Sequence, residues 1–168
     1  MEKGINQYIK EQFGLKDIDL RTYSPLTFAY IGDEIYDLIV RSVVVGKGNT
    51  RPSKLHAVTS RFVKAAAQAS MMEAIEPLLS EEEADIYRRG RNAKSATMAK
   101  NATMSDYRKA TGFEALMGYL YLDDRFDRVV ELSRIGMQYY EESGKQAPEN
   151  RKKQETASGD CKDQDFCK

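Results

Sequence analysis

Two carboxylates stand in this sequence where the helical pattern around them is apolar. The first is Asp33, within Ile31-Gly32-Asp33-Glu34-Ile35-Tyr36-Asp37-Leu38-Ile39-Val40. So apolar a stretch is expected to turn one of its three acids toward protein, and Asp33 is the choice. Gly32 beside it removes side-chain bulk at about 1 kcal/mol of helix propensity relative to alanine, which makes sense where something must approach closely. Glu34 and Asp37 are left to face solvent. The second is Glu114, within Gly112-Phe113-Glu114-Ala115-Leu116-Met117-Gly118, with Gly118 one turn further along the same face. A buried carboxylate either takes up a proton or finds a positive partner. A divalent cation shared by both acids is one such partner; arginines such as Arg41, Arg61 or Arg108 in structural salt bridges are another, and spacing alone leaves both open. Oxygen donors suit Mg²⁺ or Mn²⁺, whereas zinc asks for thiolate or imidazole, and apart from Cys161 and Cys167 near the C-terminus only His56 offers one. His56 has no triad partner in the sequence and is assigned no chemistry.

A basic stretch follows, Arg88-Arg89-Gly90-Arg91-Asn92-Ala93-Lys94-Ser95 and then Lys100. Read as a glycine-bearing loop, it can lie against phosphates and 2′-hydroxyls across the shallow minor groove of A-form RNA. It can equally be a solvated loop. It carries no aromatic residue on which single-stranded bases would stack. A further acidic run, Glu81, Glu82, Glu83 and Asp85, offers a metal cluster of the kind an all-α nucleoside-triphosphate pyrophosphohydrolase would use. The same acids also favour the positive end of a helix.

These residues need a scaffold, and the pattern around them is helical throughout. Ile5, Tyr8, Ile9 and Phe13 make a short amphipathic helix stopped by Gly14. Ser24-Pro25 caps and starts a long helix to Val45 that carries Asp33. A second long helix from Pro52 bears Leu55, Val58, Thr59, Phe62, Val63, Ala66 and Ala69 on one stripe, followed by a brief piece from Met71 to Pro77. Ser80 with Glu83 reads as a capping box for a helix ending at Gly90. Ser105 caps the helix that carries Glu114, and Asp124 caps a last one ending near Tyr140. No run alternates with the period of a strand, so the fold class is all-α with about six or seven helices. From residue 143 to 168 the composition turns polar, too poor in apolar surface to offset the entropy of ordering; this predicts a disordered tail after a single domain of residues 1–142.

Composition narrows the partners. The 168 residues include 26 Lys plus Arg and 26 Asp plus Glu, a formal net charge of zero, so attraction to a polyanion must come from local patches. The N-terminus shows no leader pattern and no apolar run suffices for a membrane span, and the two cysteines fit a reducing compartment. A soluble cytoplasmic protein is expected.

Three of these segments together resemble a known family. Leu26-Thr27-Phe28-Ala29-Tyr30-Ile31-Gly32-Asp33-Glu34-Ile35 resembles the signature helix of ribonuclease III domains. Arg89 to Ser95, and Ala110-Thr111-Gly112-Phe113-Glu114-Ala115-Leu116-Met117-Gly118-Tyr119-Leu120-Tyr121-Leu122, are similar to the loop and second acidic helix of Mini-ribonuclease III. The resemblance implies a ribonuclease III-type helical endonuclease domain acting as a homodimer on double-stranded RNA. Asp33 and Glu114 would hold Mg²⁺, with Mn²⁺ a possible substitute. Hydrolysis of a phosphodiester would leave 5′-phosphate and 3′-hydroxyl ends, and the substrate would be the paired stem of precursor 23S ribosomal RNA. Arg88, Arg91, Asn92, Lys94, Ser95 and Lys100 are the expected RNA contacts. The sequence departs from full-length ribonuclease III at Ala29 and Thr111, where that enzyme has acids; Mini-ribonuclease III is similar in this respect. Fewer protein ligands would leave more waters on the metal. The polar tail offers no pattern for a separate RNA-binding domain. A helical RNA-binding or ribosome-assembly factor without catalysis is the competing reading.

Overall fold

The computed structural model describes residues 4–94 and 103–157, with side chains as far as residue 144. Among the described residues seven α-helices run α1 Ile5–Phe13, α2 Pro25–Gly46, α3 Pro52–Phe62, α4 Ala65–Ile75, α5 Glu81–Asn92, α6 Met104–Leu122 and α7 Phe126–Ala157, with short 3-10 turns at Leu20–Thr22 and Glu76–Leu78. No strand occurs among the described residues, as the absence of alternation predicts. None of the described helices is long and apolar enough to cross a membrane.

α6 is the axis of the core. Ala110 to Phe113 and Ala115 to Tyr121 are all buried, which explains a helix with apolar residues on nearly every side. α2, α5, α4 and α7 pack around it. α2 begins where Ser24 accepts from the Thr27 backbone N–H at 3.2 Å, with Pro25 at the first helical position where its missing N–H costs nothing. Its buried face, Phe28, Ile35, Tyr36, Ile39 and Val40, meets α6 through edge-on rings: Tyr36 on Phe113 at 4.8 Å and Phe28 on Tyr119 at 5.5 Å between centroids.

α5 starts with the predicted capping box, Ser80 N–H donating to Glu83 at 3.0 Å and Glu83 N–H to Ser80 Oγ at 3.2 Å. The Glu83 side chain is 1% exposed and takes Arg125 at 2.5 Å and Arg128 at 3.0 Å, tying α5 to the start of α7. Those arginines, with the burial that opposes them, leave its carboxyl below the ordinary value.

Several element boundaries differ from the sequence reading. The predicted helix from Pro52 to Ala69 is two, broken where Val63 leaves the helical region and Lys64 is extended. The break lets Phe62 enter the core while α4 turns Ala67, Gln68, Ala69, Met71, Met72 and Ile75 inward; Ala66 faces out. α6 is capped by Thr103, which accepts from Asp106 N–H, and not by Ser105. Asp124 is not the cap of α7; it takes a left-handed φ of 56° after α6, and the Arg125 carbonyl accepts the first bonds of α7. α7 continues to Ala157, beyond the predicted end at Tyr140, so residues 143–157 are helical where a disordered tail was expected. Cys161 and Cys167 lie outside the described residues.

The apolar stripe of α1 does not face the core. Ile5, Tyr8, Ile9 and Phe13 are exposed, and the buried residue is Asn6, whose amide donates to the Leu122 carbonyl at 3.1 Å. That bond ties α1 to the carbonyl end of α6, leaving the stripe outward.

Candidate active site

The site is built on a crossing of two glycines. A Cβ added to Gly32 would fall 1.8 Å from the Glu114 carbonyl oxygen, and one added to Gly118 would fall 1.9 Å from the Phe28 carbonyl oxygen. α2 and α6 therefore touch main chain to main chain, which only glycine permits. Asp33 adjoins the first glycine and Glu114 lies one turn before the second, so the crossing carries both acids.

Their surroundings differ. Glu114 is half-buried, and its carboxyl is pushed up to about 8, first by burial and then by the charge of Asp33. Asp33 is exposed at the rim, a correction to its expected inward orientation: Ile35, Tyr36 and Ile39 take the core face of α2 and Asp33 lies off it. Its carboxyl is nonetheless raised, by desolvation first and then by Glu34 and Asp37. Among the described residues neither acid is ion-paired. Arg41 pairs with Asp37 at 2.5 Å, and Arg61 and Arg108 are exposed without reaching Asp33 or Glu114. Two carboxylates thus share a crossing with no guanidinium paired to either among the described residues. Such a hard oxygen set fits a divalent cation.

No group of three or more His, Cys, Asp or Glu is arranged for a metal among the described residues. Ala29 and Thr111 account for this. Both are buried beside the crossing, and the Thr111 hydroxyl is turned back to the Tyr107 carbonyl at 3.0 Å. His56 is exposed on α3.

Gln68 escaped the sequence reading. It is 1% exposed on α4, and its side-chain amide meets Glu114, the one influence that lowers that carboxyl. Its Nε2 still has no hydrogen-bond partner of ordinary geometry. The signal was available, a lone amide in Ala65-Ala66-Ala67-Gln68-Ala69.

The predicted basic loop is largely helix. Arg88, Gly90, Arg91 and Asn92 belong to α5, because Gly90 is not a stop but a packing position: a Cβ there would fall 2.6 Å from the Ala115 Cβ on α6. Arg88 and Asn92 are exposed on α5 and Lys94 just beyond it; Arg91 lies over the Tyr87 ring, 5.7 Å from its centroid. Arg88 pairs with Asp85. Ser95 and Lys100 lie outside the described residues.

The alternative acidic cluster is engaged elsewhere. Glu83 holds Arg125 and Arg128, Glu82 accepts from the Tyr119 hydroxyl at 2.7 Å, and Asp85 pairs with Arg88. Glu82 and Asp85 border a cleft of about 600 Å³ with Asp17, Asp19, Arg89 and Asp123, away from Asp33 and Glu114. Carboxylates already paired with arginine are poor candidates for a cation, which removes the pyrophosphohydrolase reading.

Comparison with known proteins bears on the same segments. The ribonuclease III domain family matches residues 26–125, which include both acids and both crossing glycines. A Mini-ribonuclease 3 from Clostridium tetani is 43% identical over 144 residues, 85% of this chain and 94% of that protein. One from Thermoanaerobacter is 44% identical over 142 residues, 84% of this chain and the whole of that protein, and one from Enterococcus faecalis is 48% identical over 116 residues, 68% of this chain and 88% of that protein. A crystal structure of a Fusobacterium nucleatum protein superposes with a TM-score of 0.65 at 30% identity, over 73% of this chain and 98% of that one. An all-α domain with its acids at a glycine crossing and with relatives aligned over nearly their full length leads to one placement: the chain belongs to the ribonuclease III family, in its Mini-ribonuclease 3 branch, whose chemistry is endonucleolytic cleavage of double-stranded RNA.

Proposed function

We propose that Asp33 and Glu114 hold a single Mg²⁺, for which Mn²⁺ can substitute, and that residues 1–142 form the catalytic unit of a homodimer that cuts RNA duplexes to 5′-phosphate and 3′-hydroxyl ends. The observation that carries this reading is that Asp33 and Glu114, on the two helices that meet at the Gly32–Gly118 crossing, have no ion-pair partner among the described residues. When bound, the cation would supply Lewis acidity and neutralise charge at the scissile phosphate.

The chain's own residues divide the remaining work. Glu114 is half-buried on α6, beside Gly32 of α2 and Gln68 of α4. Asp33 stands at the exposed edge, where a phosphate can reach it. Two protein oxygens leave most of the coordination sphere to water and substrate, consistent with Ala29 and Thr111 in place of acids. Arg88, Arg91, Asn92 and Lys94, at the end of α5 and just after it, with Ser95 and Lys100, would contact phosphates and 2′-hydroxyls by shape and charge. Net neutrality makes this local patch the electrostatic handle. Exposed Leu26 and Tyr30 on α2 and the outward stripe of α1 supply apolar surface for the second copy. On the same resemblance we assign it a cytoplasmic role in maturing precursor 23S ribosomal RNA.

The test is cleavage of a defined RNA duplex with and without EDTA, mapping both strands and their ends, using wild type, Asp33→Asn and Glu114→Gln. Each substitution should reduce cleavage by more than about 100-fold, the upper range for loss of an outer metal partner, with helicity unchanged. Full activity in either variant overturns the assignment, and duplex binding without any turnover in wild type supports the non-catalytic RNA-binding reading instead.

A further inference from the structure

Gln68 sits in the first turns of α4 between Ala67 and Ala69, all three buried. An apolar residue would satisfy that place. Instead the position holds a carboxamide whose Nε2 has no hydrogen bond of ordinary geometry among the described residues. A buried N–H without an acceptor disfavours the folded state, so its presence points to a use outside stability. The charged group its amide meets is Glu114.

We propose that Gln68 is a positioning residue of the metal site: its side-chain N–H donates to one oxygen of Glu114 when the cation is bound, keeping the other oxygen for the metal. This deepens the reading of Asp33 and Glu114 as the metal-holding pair and rests on it. A carboxylate on an otherwise sparse site can rotate or shift between one-oxygen and two-oxygen binding. A fixed donor on one oxygen removes that freedom, and such outer partners alter metal affinity by about 10- to 100-fold. Placement on a helix packed against α6 gives the donor a fixed position relative to Glu114.

The experiment titrates Mn²⁺ alone into the full chain, following free Mn²⁺ by electron paramagnetic resonance, for wild type, Gln68→Met, Gln68→Leu and Glu114→Gln. Thermal unfolding is recorded for each, and kcat and KM are measured on one RNA duplex. Both Gln68 variants should bind Mn²⁺ about 10-fold more weakly, melt at the same or a higher temperature, and lose kcat with KM unchanged. Wild-type Mn²⁺ affinity in either folded Gln68 variant, or a lower melting temperature with affinity kept, marks a structural glutamine and overturns the proposal. Should Glu114→Gln bind Mn²⁺ like wild type, the metal-pair reading itself fails; loss in Glu114→Gln with none at Gln68 defeats the positioning role alone.

Discussion

Gly32 on α2 lies so close to Glu114 on α6 that its missing side chain is replaced by the Glu114 carbonyl oxygen, 1.8 Å from where a Cβ would stand. The contact joins one acid-bearing helix to the other through backbone atoms, which cannot give way as a flexible side chain can. Gly32→Ala and Gly118→Ala should therefore each cost at or beyond the top of the roughly 1–3 kcal/mol expected for overpacking. Chemical denaturation measures this, and a loss below about 0.5 kcal/mol, the range of neutral surface substitutions, would refute the close crossing.

Glu114 links the site to pH. Its carboxyl rises from an ordinary 4.5 to about 8 in the folded chain, so the folded state holds the proton more tightly than the unfolded one. The stability from this group is full below about 4.5 and is lost as pH rises toward and through about 8. Metal-free protein should become less stable across that window, and Glu114→Gln should flatten the dependence. Because a cation competes with the proton, half-maximal Mg²⁺ for cleavage should fall as pH rises. Thermal melts in EDTA and metal titrations at several pH values check both.

Glu83 behaves in the opposite sense. Its carboxyl is held below the ordinary value, so the stability it contributes is present above about 4.5 and lost as pH falls through its lower folded value. Glu83→Gln weakens its charge-assisted bonds to Arg125 and Arg128, which keep Glu82 and Glu131 as partners, and should cost about 1–3 kcal/mol. Unfolding curves at neutral pH are the measurement, and cleavage per folded molecule should be preserved.

The basic end of α5 predicts a salt effect. Arg91→Glu with Lys94→Glu should weaken duplex binding and flatten the slope of log affinity against log salt by about one to two units. The Arg91 change also removes its contact with the Tyr87 ring, so a melting curve should accompany the binding series. An unaltered slope takes this end of α5 out of the RNA contact.

Much of this architecture is written in local signals. Ser24-Pro25 starts α2 and Ser80 with Glu83 starts α5, because the capping groups lie within three residues of the N–H groups they satisfy. The two acids stood out as charges in apolar helices, and the glycines near them foretold the close approach. What sequence periodicity missed depends on tertiary packing. The apolar stripe runs through Val63 and Lys64, so the break between α3 and α4 was hidden. Gly90 looked like a terminator because a glycine that ends a helix and one that admits a neighbour read alike. Asp33 was expected inside, yet the core face of α2 belongs to its apolar neighbours. Gln68 was overlooked because its importance comes from Glu114, which is distant in sequence.

The packing of Gly90 against Ala115 has a consequence for how a duplex would be measured. It joins the arginine-bearing end of α5 to the turn of α6 that carries Glu114, so the proposed RNA contact and the proposed metal ligand share one packed unit. If the proposed roles hold, the offset between the phosphates held and the bond broken would be set by this packing, and RNAs would be told apart by whether their helical shape fits it.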